Sequence, residues 1–429
     1  MRKKNGYLDA VVKLVGGSMV AQVFTVLCAP LLTRMFKPEE LGVYSLVSGA
    51  VTMFGTAMSW RYDMIIVSEP NEDRVWPLIK LAGLICVLMS TVIAIGYYAY
   101  FLVVSSQSQP LSLALIAGGL VFLMGIINII TAYNNRNQDY AVIAKTYLVR
   151  TIAQNTLNLL SGFLGMGALG LSCSQLIGYA AGVRGQAKLM LKHKKQIAGA
   201  SLNEVARVFS NNVRQATLSA PAAVANGLSY SLINYFIEAL FTTDLVGYYS
   251  ISFRILGMPS AIISTNISRI FLEKASKECS EKGSFQRTYK KTLVMMLLIA
   301  IPITAALMGF APWACEVFFG KGWYIAGRYI QILTPMYILR FIAGGVSTSA
   351  ILANKQQFDL VVQVILVLCS AGTFFLTKIF AWPIETFLMV LNTSFSIVYI
   401  AYIWLFWRCA KGKWSGIDQA NDKAIECRQ

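Results

Sequence analysis

Charged residues are scarce in this chain, 13% of its 429 residues, where a soluble domain carries about 25%. A surface that poor in charge cannot serve as a solvated exterior, and 56% hydrophobic residues exclude the disordered and fibrous classes. Acid is scarcer still: 20 Asp+Glu face 37 Lys+Arg, a formal charge of +17. In a soluble protein that excess would suggest nucleic acid. Here the basic residues lie between apolar segments rather than on one patterned face, so they read as a positive-inside bias and no nucleic-acid partner is expected. The single histidine, His193, stands alone in a basic stretch and reads as solvated. The eight cysteines are scattered without a C-x-x-C, and Cys28, Cys86, Cys173 and Cys369 fall inside apolar runs. They read as packing residues rather than a disulfide framework or metal site. There is no G-x-x-x-x-G-K-[ST] and no H-E-x-x-H, so neither a nucleotide-driven motor, a metal nor any other cofactor is expected. No predicted outer loop is long enough for a catalytic domain, and the chain is not read as an enzyme.

What the sequence does have is long apolar runs. About 20 apolar residues carry a helix across a bilayer. Charge-free runs occupy 14–33, 41–60, 81–135, 151–183, 215–237, 292–315, 360–377 and 386–407, while 245–268 and 329–354 each hold one arginine. Ser105 to Pro110 divides the run 81–135 into two spans, and Gly162 to Gly170 divides 141–184. The total is twelve, all helical, because lipid-facing barrel strands would alternate in polarity. With the N-terminus inside, the inner segments hold 29 Lys/Arg and the outer loops 5, which places both termini in the cytoplasm. The start Met1-Arg2-Lys3-Lys4 lacks an A-x-A-like cleavage site and reads as the head of an uncleaved first helix.

Two internal matches suggest a repeat. Phe36-Lys37-Pro38-Glu39-Glu40-Leu41-Gly42-Val43-Tyr44-Ser45-Leu46 aligns without gaps on Phe241 to Ile251, at an offset of 205. Asn135-Arg136-Asn137-Gln138 resembles Asn354-Lys355-Gln356-Gln357, at an offset of 219. Both fall at equivalent places in two six-helix halves, although common turn chemistry around glycine is the alternative. The expected fold is therefore all-α and polytopic: twelve transmembrane helices in two six-helix lobes, 1–200 and 201–429, related by a pseudo-twofold axis along the membrane normal. The basic stretch from about 184 reads as a hinge-like linker. Two like-oriented lobes would enclose a cavity open to either side in turn, the geometry of alternating access.

Ionised groups at mid-membrane cost several kcal/mol and so tend to face a wet cavity. Arg150 and Arg254 lie well inside their spans, Arg340 midway along its own, and Arg34 and Arg61 near span ends, with no carboxylate at comparable depth. Unbalanced guanidinium groups in a cavity suit an anion, phosphate above all. The alternative for each is to snorkel or to cap a helix. Arg150, Gln154 and Asn158 share one helical face by their i, i+4, i+8 spacing, as do Asn226, Tyr230 and Asn234. Such amides suit sugar hydroxyls and equally suit helix-to-helix adhesion. Asp63 and Glu238 are the acids nearest the spans, without an obvious partner.

Several stretches together carry a resemblance: Gly16-Gly17 with Ala21-Gln22, Pro30 to Phe36, Pro38 to Tyr44, Arg61-Tyr62-Asp63, Pro221-Ala222-Ala223, Val246-Gly247-Tyr248-Tyr249, Arg254 to Pro259, and Phe319 to Trp323. They resemble the polysaccharide flippases, for O-antigen and capsule repeat units, of the multidrug/oligosaccharidyl-lipid/polysaccharide exporter superfamily. The resemblance implies a protein of the bacterial cytoplasmic membrane that moves undecaprenyl-pyrophosphate-linked oligosaccharide to the outer leaflet. It implies a polysaccharide polymerase and a chain-length regulator as partners. The chain resembles the lipid II flippases more distantly. On that likeness Arg34, Arg61 and Arg254 fall on the helices whose arginines bind pyrophosphate, and two C-terminal helices of that family are missing. The competing expectation is a cation-coupled multidrug antiporter of the same superfamily, which would want carboxylates in its cavity.

Overall fold

The computed structural model describes residues 21–105, 107, 109–353 and 357–411. The chain's first residues, Gly16, Gly17 and the match at Asn354-Lys355-Gln356 lie outside the described residues. Within them every regular element is helical. In order they are α1 (Ala21–Met35), α2 (Pro38–Phe54), a 3₁₀ turn (Gly55–Ala57), α3 (Tyr62–Ser68), α4 (Glu72–Val103), α5 (Pro110–Arg136), α6 (Tyr140–Phe163), α7 (Gly167–Ala180), α8 (Val183–Gln186), α9 (Lys188–Leu191), α10 (Lys194–Gly199), α11 (Leu202–Leu240), α12 (Thr243–Lys282), α13 (Gln286–Phe319), α14 (Tyr324–Val346), α15 (Ser349–Leu352), α16 (Gln357–Phe380) and α17 (Ile384–Ala410). The all-α expectation holds.

The count of twelve spans is not reached on length and apolarity. Six described helices are long and apolar enough to cross a membrane: α4, α5, α13, α14, α16 and α17. A seventh arises if α2 and α3, bent by 42° at their break, form one span. The remainder fall short for physical reasons. α7 has only 14 residues, α6 carries Arg150, Gln154, Asn155 and Asn158 along its length, and α11 and α12 continue beyond their apolar runs into polar ends. In α13 only 11% of the most apolar window is buried, and Leu298, Ile301 and Phe310 are exposed. An exterior of that kind needs lipid around it.

The chain forms two compact units, Met1–Gly247 and Tyr248–Gln429. In the first, α2 packs on α5, α7 and α11, while α4 and α5 form a long hairpin. The α6–α7 hairpin is antiparallel and tight: a Cβ on Gly178 would meet Gln154 Cβ at 2.6 Å, and one on Gly170 would meet Ser161 Cβ at 2.9 Å. In the second unit α13 pairs with α14 and α14 with α17. Ser252 Oγ donates to the Ala326 carbonyl at 2.8 Å and Ser264 Oγ to Phe341 at 2.9 Å, fixing α12 on α14.

The basic stretch read as a hinge-like linker is packed against its neighbours. It folds into α8, α9 and α10, and Lys80 Nζ donates to the Ala198 and Ala200 carbonyls at 3.0 and 2.6 Å. Asn134 Nδ2 donates to Gln186 O at 2.9 Å. His193, expected to be solvated, is half-buried, stacks on Trp76 with ring centroids 4.8 Å apart, and shares a hydrogen bond with Gln196. Sequence polarity marked these residues as loop, but α4 and α5 supply hydrogen-bond donors and an aromatic face for them.

The α12–α13 turn is capped in trans. Glu278 Oε1 accepts from the Arg287 amide at 3.1 Å and Oε2 from the Thr288 amide at 2.8 Å, two of the free donors at the start of α13. Partial burial raises the Glu278 pKa, but the hydrogen bonds from Thr288 and Arg287, with Lys282 nearby, outweigh it and hold it below the ordinary carboxylate value. The stabilisation is therefore present above the unfolded-state pKa and is lost as pH falls through the depressed folded one. Glu278→Gln is expected to cost about 1 kcal/mol locally. Amide exchange at Arg287 and Thr288 should rise in the variant at neutral pH, and on acidification in the native chain.

Candidate functional site

The polar face of α6 converges with two neighbouring helices. Arg150 is half-buried, about 15 Å along α6 from its start at Tyr140. Its Nε is buried without a hydrogen-bond partner among the described residues. The titratable groups that interact with the guanidinium are two tyrosines, Tyr179 on α7 and Tyr147 one turn back on α6. One turn further along, Gln154 Nε2 donates to the Tyr44 hydroxyl of α2 at 3.2 Å. Gln175 Nε2 lies 3.5 Å from the Tyr179 hydroxyl, and Gln175 Oε1 is buried and unpartnered. Asn158 is 4% exposed with its Oδ1 likewise unpartnered. Gly178 permits this convergence, since any side chain there would strike Gln154. The outcome is a polar patch with a cation at one end, a phenol and amide shell along it, and spare acceptors. Such a patch can hold an anion beside hydroxyl groups.

Arg34 is not part of this cluster. It sits exposed at the end of α1, and Gly162 packs beside the adjacent Met35 and Phe36. That places Arg34 roughly 18 Å along α6 from Arg150. Arg61 lies at the break between the 3₁₀ turn and α3, just past the apolar run 41–60. It has a left-handed backbone, φ 65°, next to Trp60 at φ 51°. Two consecutive non-glycine residues in that region are uncommon and mark a strained segment. Its guanidinium donates to Thr56 O at 3.4 Å and contacts Met64 Sδ, while its Nε is buried without a hydrogen-bond partner among the described residues. On α11 the expected amide face grades from exposed Asn226 through buried Tyr230 to half-buried Asn234, whose Oδ1 has no partner among the described residues.

In the second unit Arg254 is half-buried on α12. Its neighbour Phe253 packs edge-on against Tyr337 at 6.0 Å, and the Arg340 guanidinium lies 5.8 Å from the same tyrosine ring. Arg340 lies five residues past the middle of α14 and six before its C-terminal end.

Sequence reading missed the tyrosines. Tyr44, Tyr147 and Tyr179 surround Arg150 and Gln154, and the Gln175–Tyr179 spacing of four residues was the available signal. It also left Glu238 without a partner near an interface. The structure buries Glu238 to 8% exposure. Its Oε1 accepts from Ser105 Oγ and, at 3.0 Å, from Thr243 Oγ1, beside a ring cluster of Tyr97, Tyr100 and Tyr235. Asp63 likewise accepts from Ser59 Oγ at 2.5 Å. No group of three or more metal-ligating side chains occurs among the described residues.

A sequence profile described as a polysaccharide biosynthesis protein matches residues 31–326. Among solved structures, the chain is similar to the lipid II flippase MurJ in an inward closed conformation, with TM-score 0.69 and 14% identity over 91% of this chain and 86% of that one. It is also similar to an inward-facing multidrug resistance MATE family transporter of the MOP superfamily, with TM-score 0.65 and 12% identity over 95% and 99% of the two chains. A third likeness is to a MOP superfamily transporter from Pyrococcus furiosus whose binding pocket is described as reversed in polarity, with TM-score 0.53 and 12% identity over 94% and 96%. Identities this low establish a shared fold. No curated protein matches the chain.

Proposed function

The chain belongs to the polysaccharide biosynthesis protein family, and from that premise we propose that it is a flippase for undecaprenyl-pyrophosphate-linked oligosaccharide repeat units. It moves them across the bacterial cytoplasmic membrane by alternating access, with both termini cytoplasmic and twelve spans in two six-helix lobes, and supplies surface polysaccharide assembly. Arg150 and Arg254 hold the pyrophosphate, with Arg61, Arg34 and Arg340 as further cationic contacts along its route. Gln154, Asn158, Asn226 and Asn234 take sugar hydroxyls. A polymerase and a chain-length regulator act on the delivered product.

The observation that carries this reading is the surroundings of Arg150: a buried, unpartnered Nε, with phenols rather than carboxylates as its electrostatic neighbours. A cation buried without a counter-ion is costly unless an anion joins it. The antiporter reading needs free carboxylates; Asp63 and Asp359 each accept a hydroxyl hydrogen bond, Asp359 from Tyr402, while Glu238 accepts through Oε1 and its Oε2 is buried without a partner among the described residues. The fold alone does not decide substrate charge, because its members include one described as reversed in pocket polarity. Deleting the gene should abolish surface glycan and leave lipid-linked oligosaccharide accumulating in the cytoplasmic leaflet. Unchanged glycan together with new sensitivity to cationic dyes would support the antiporter instead.

A further inference from the structure

The inner half of α12 and the first turns of α13 enclose a cavity of about 550 Å³ that the reading above does not use. Its polarity is graded along the helices. Toward the middle of both helices it is lined by Ile267, Ile270 and Met295, of which Ile270 and Met295 are 53% and 42% exposed. Toward the turn at Gly283 it is lined by five cations, Lys274, Lys277, Lys282, Arg287 and Lys291, against two carboxylates, Glu278 and Glu281. One of the carboxylates is committed: both oxygens of Glu278 accept main-chain amides of α13. The cations are therefore left in excess at one end of a cleft whose other end is apolar. From Ile267 to Lys274 is about 10 Å of helix, comparable to the depth over which a lipid passes from acyl chain to phosphate. In the orientation proposed above this turn lies at the cytoplasmic surface, where anionic lipids concentrate and each nearby Lys or Arg contributes about 1 kcal/mol of attraction.

We propose that this cleft is a binding site for one anionic glycerophospholipid, its phosphate among Lys274, Lys277, Arg287 and Lys291 and its first acyl carbons along Ile267, Ile270 and Met295. The graded lining separates this occupant from a soluble anion, which would leave the apolar end exposed. It also separates it from a zwitterionic lipid, whose choline would meet the same lysines. The proposal rests on the proposed orientation of the chain and not on its transported substrate, because it concerns a lipid that stays with the protein.

The test is native mass spectrometry of the full-length protein in detergent micelles doped with phosphatidylglycerol or with phosphatidylcholine, with thermal unfolding in parallel. The expected result is one retained phosphatidylglycerol, a melting temperature raised by that lipid and not by phosphatidylcholine, and at least tenfold weaker retention by Lys274→Gln/Lys277→Gln/Lys291→Gln. Should the triple variant fail to fold, Glu281→Lys is the second arm and should strengthen retention, since it adds a cation to the same wall. Equal retention of the two lipids, undiminished retention by the triple variant, or weakened retention by Glu281→Lys would each overturn the proposal. Equal stabilisation by inorganic pyrophosphate alone would overturn it in favour of a soluble anion.

Discussion

Arg150→Ala is expected to reduce surface glycan roughly 30-fold or more while the protein still reaches the membrane at its normal level. The magnitude comes from the cost of removing one partner of a desolvated charge pair, roughly 2–5 kcal/mol, or tenfold for every 1.4 kcal/mol. Folding should suffer little, because the unpartnered Nε of Arg150 indicates that the guanidinium is not fully used inside the protein. Arg150→Lys separates two contributions. It keeps the charge but loses the planar fork that matches two phosphate oxygens, so it should fall between the native chain and the alanine variant. Gln154→Ala and Asn158→Ala should act more weakly, through neutral hydrogen bonds of about 1 kcal/mol each. Glycan display by quantitative surface staining, normalised to protein in isolated membranes, measures all four.

The second large effect is structural. Gly42 and Gly247 occupy equivalent places in the two matching segments, and the structure brings those segments together at the start of α2 and the start of α12. A Cβ on Gly42 would lie 2.0 Å from the Thr243 carbonyl oxygen, and one on Gly247 would lie 1.9 Å from that of Pro38. The contact is reciprocal: Thr243 stands to Gly247 as Pro38 stands to Gly42 in the aligned segments. Both obstacles are backbone, which no rotamer change can move. Overpacking in a close contact costs roughly 1–3 kcal/mol and more where the backbone must yield. Gly42→Ala and Gly247→Ala are therefore expected to lower the melting temperature of the purified protein clearly. Gly83→Ala and Gly96→Ala serve as opposite controls, since among the described residues nothing lies within 4 Å of a Cβ at either position. Replacing a mid-helix glycine there should stabilise by up to about 1 kcal/mol. Equal behaviour of the two pairs would show that the helix crossing is looser than these distances.

The chain's apolar runs made its helices legible, and punctuation placed several boundaries. Ser105 to Pro110 separates α4 from α5, and the glycines between Gly162 and Gly170 separate α6 from α7. What could not be read was anything that depends on a neighbouring helix. The basic stretch after residue 184 looked like linker because its polarity is that of a loop, yet Lys80, Asn134 and Trp76 hold it against α4 and α5. The left-handed break at Trp60 and Arg61 has no glycine or proline to announce it. The site was half legible: helical spacing brought Arg150, Gln154 and Asn158 onto one face. Its phenolic shell was not, because Tyr44 and Tyr179 lie far off in sequence and tyrosine in an apolar run reads first as core. Glu238 was underrated for the same reason, its hydroxyl partner Ser105 being remote in sequence.

The most direct measurement is leaflet-resolved transport by the purified protein in liposomes. A polyprenyl-pyrophosphate-linked oligosaccharide is loaded into one leaflet, and its arrival in the other is followed with an impermeant sugar-modifying reagent. The account predicts translocation by the native chain, a loss of roughly 30-fold or more with Arg150→Ala, and no competition from cationic dyes. Translocation at the native rate by Arg150→Ala, or transport of the dyes in place of the lipid-linked sugar, would contradict it.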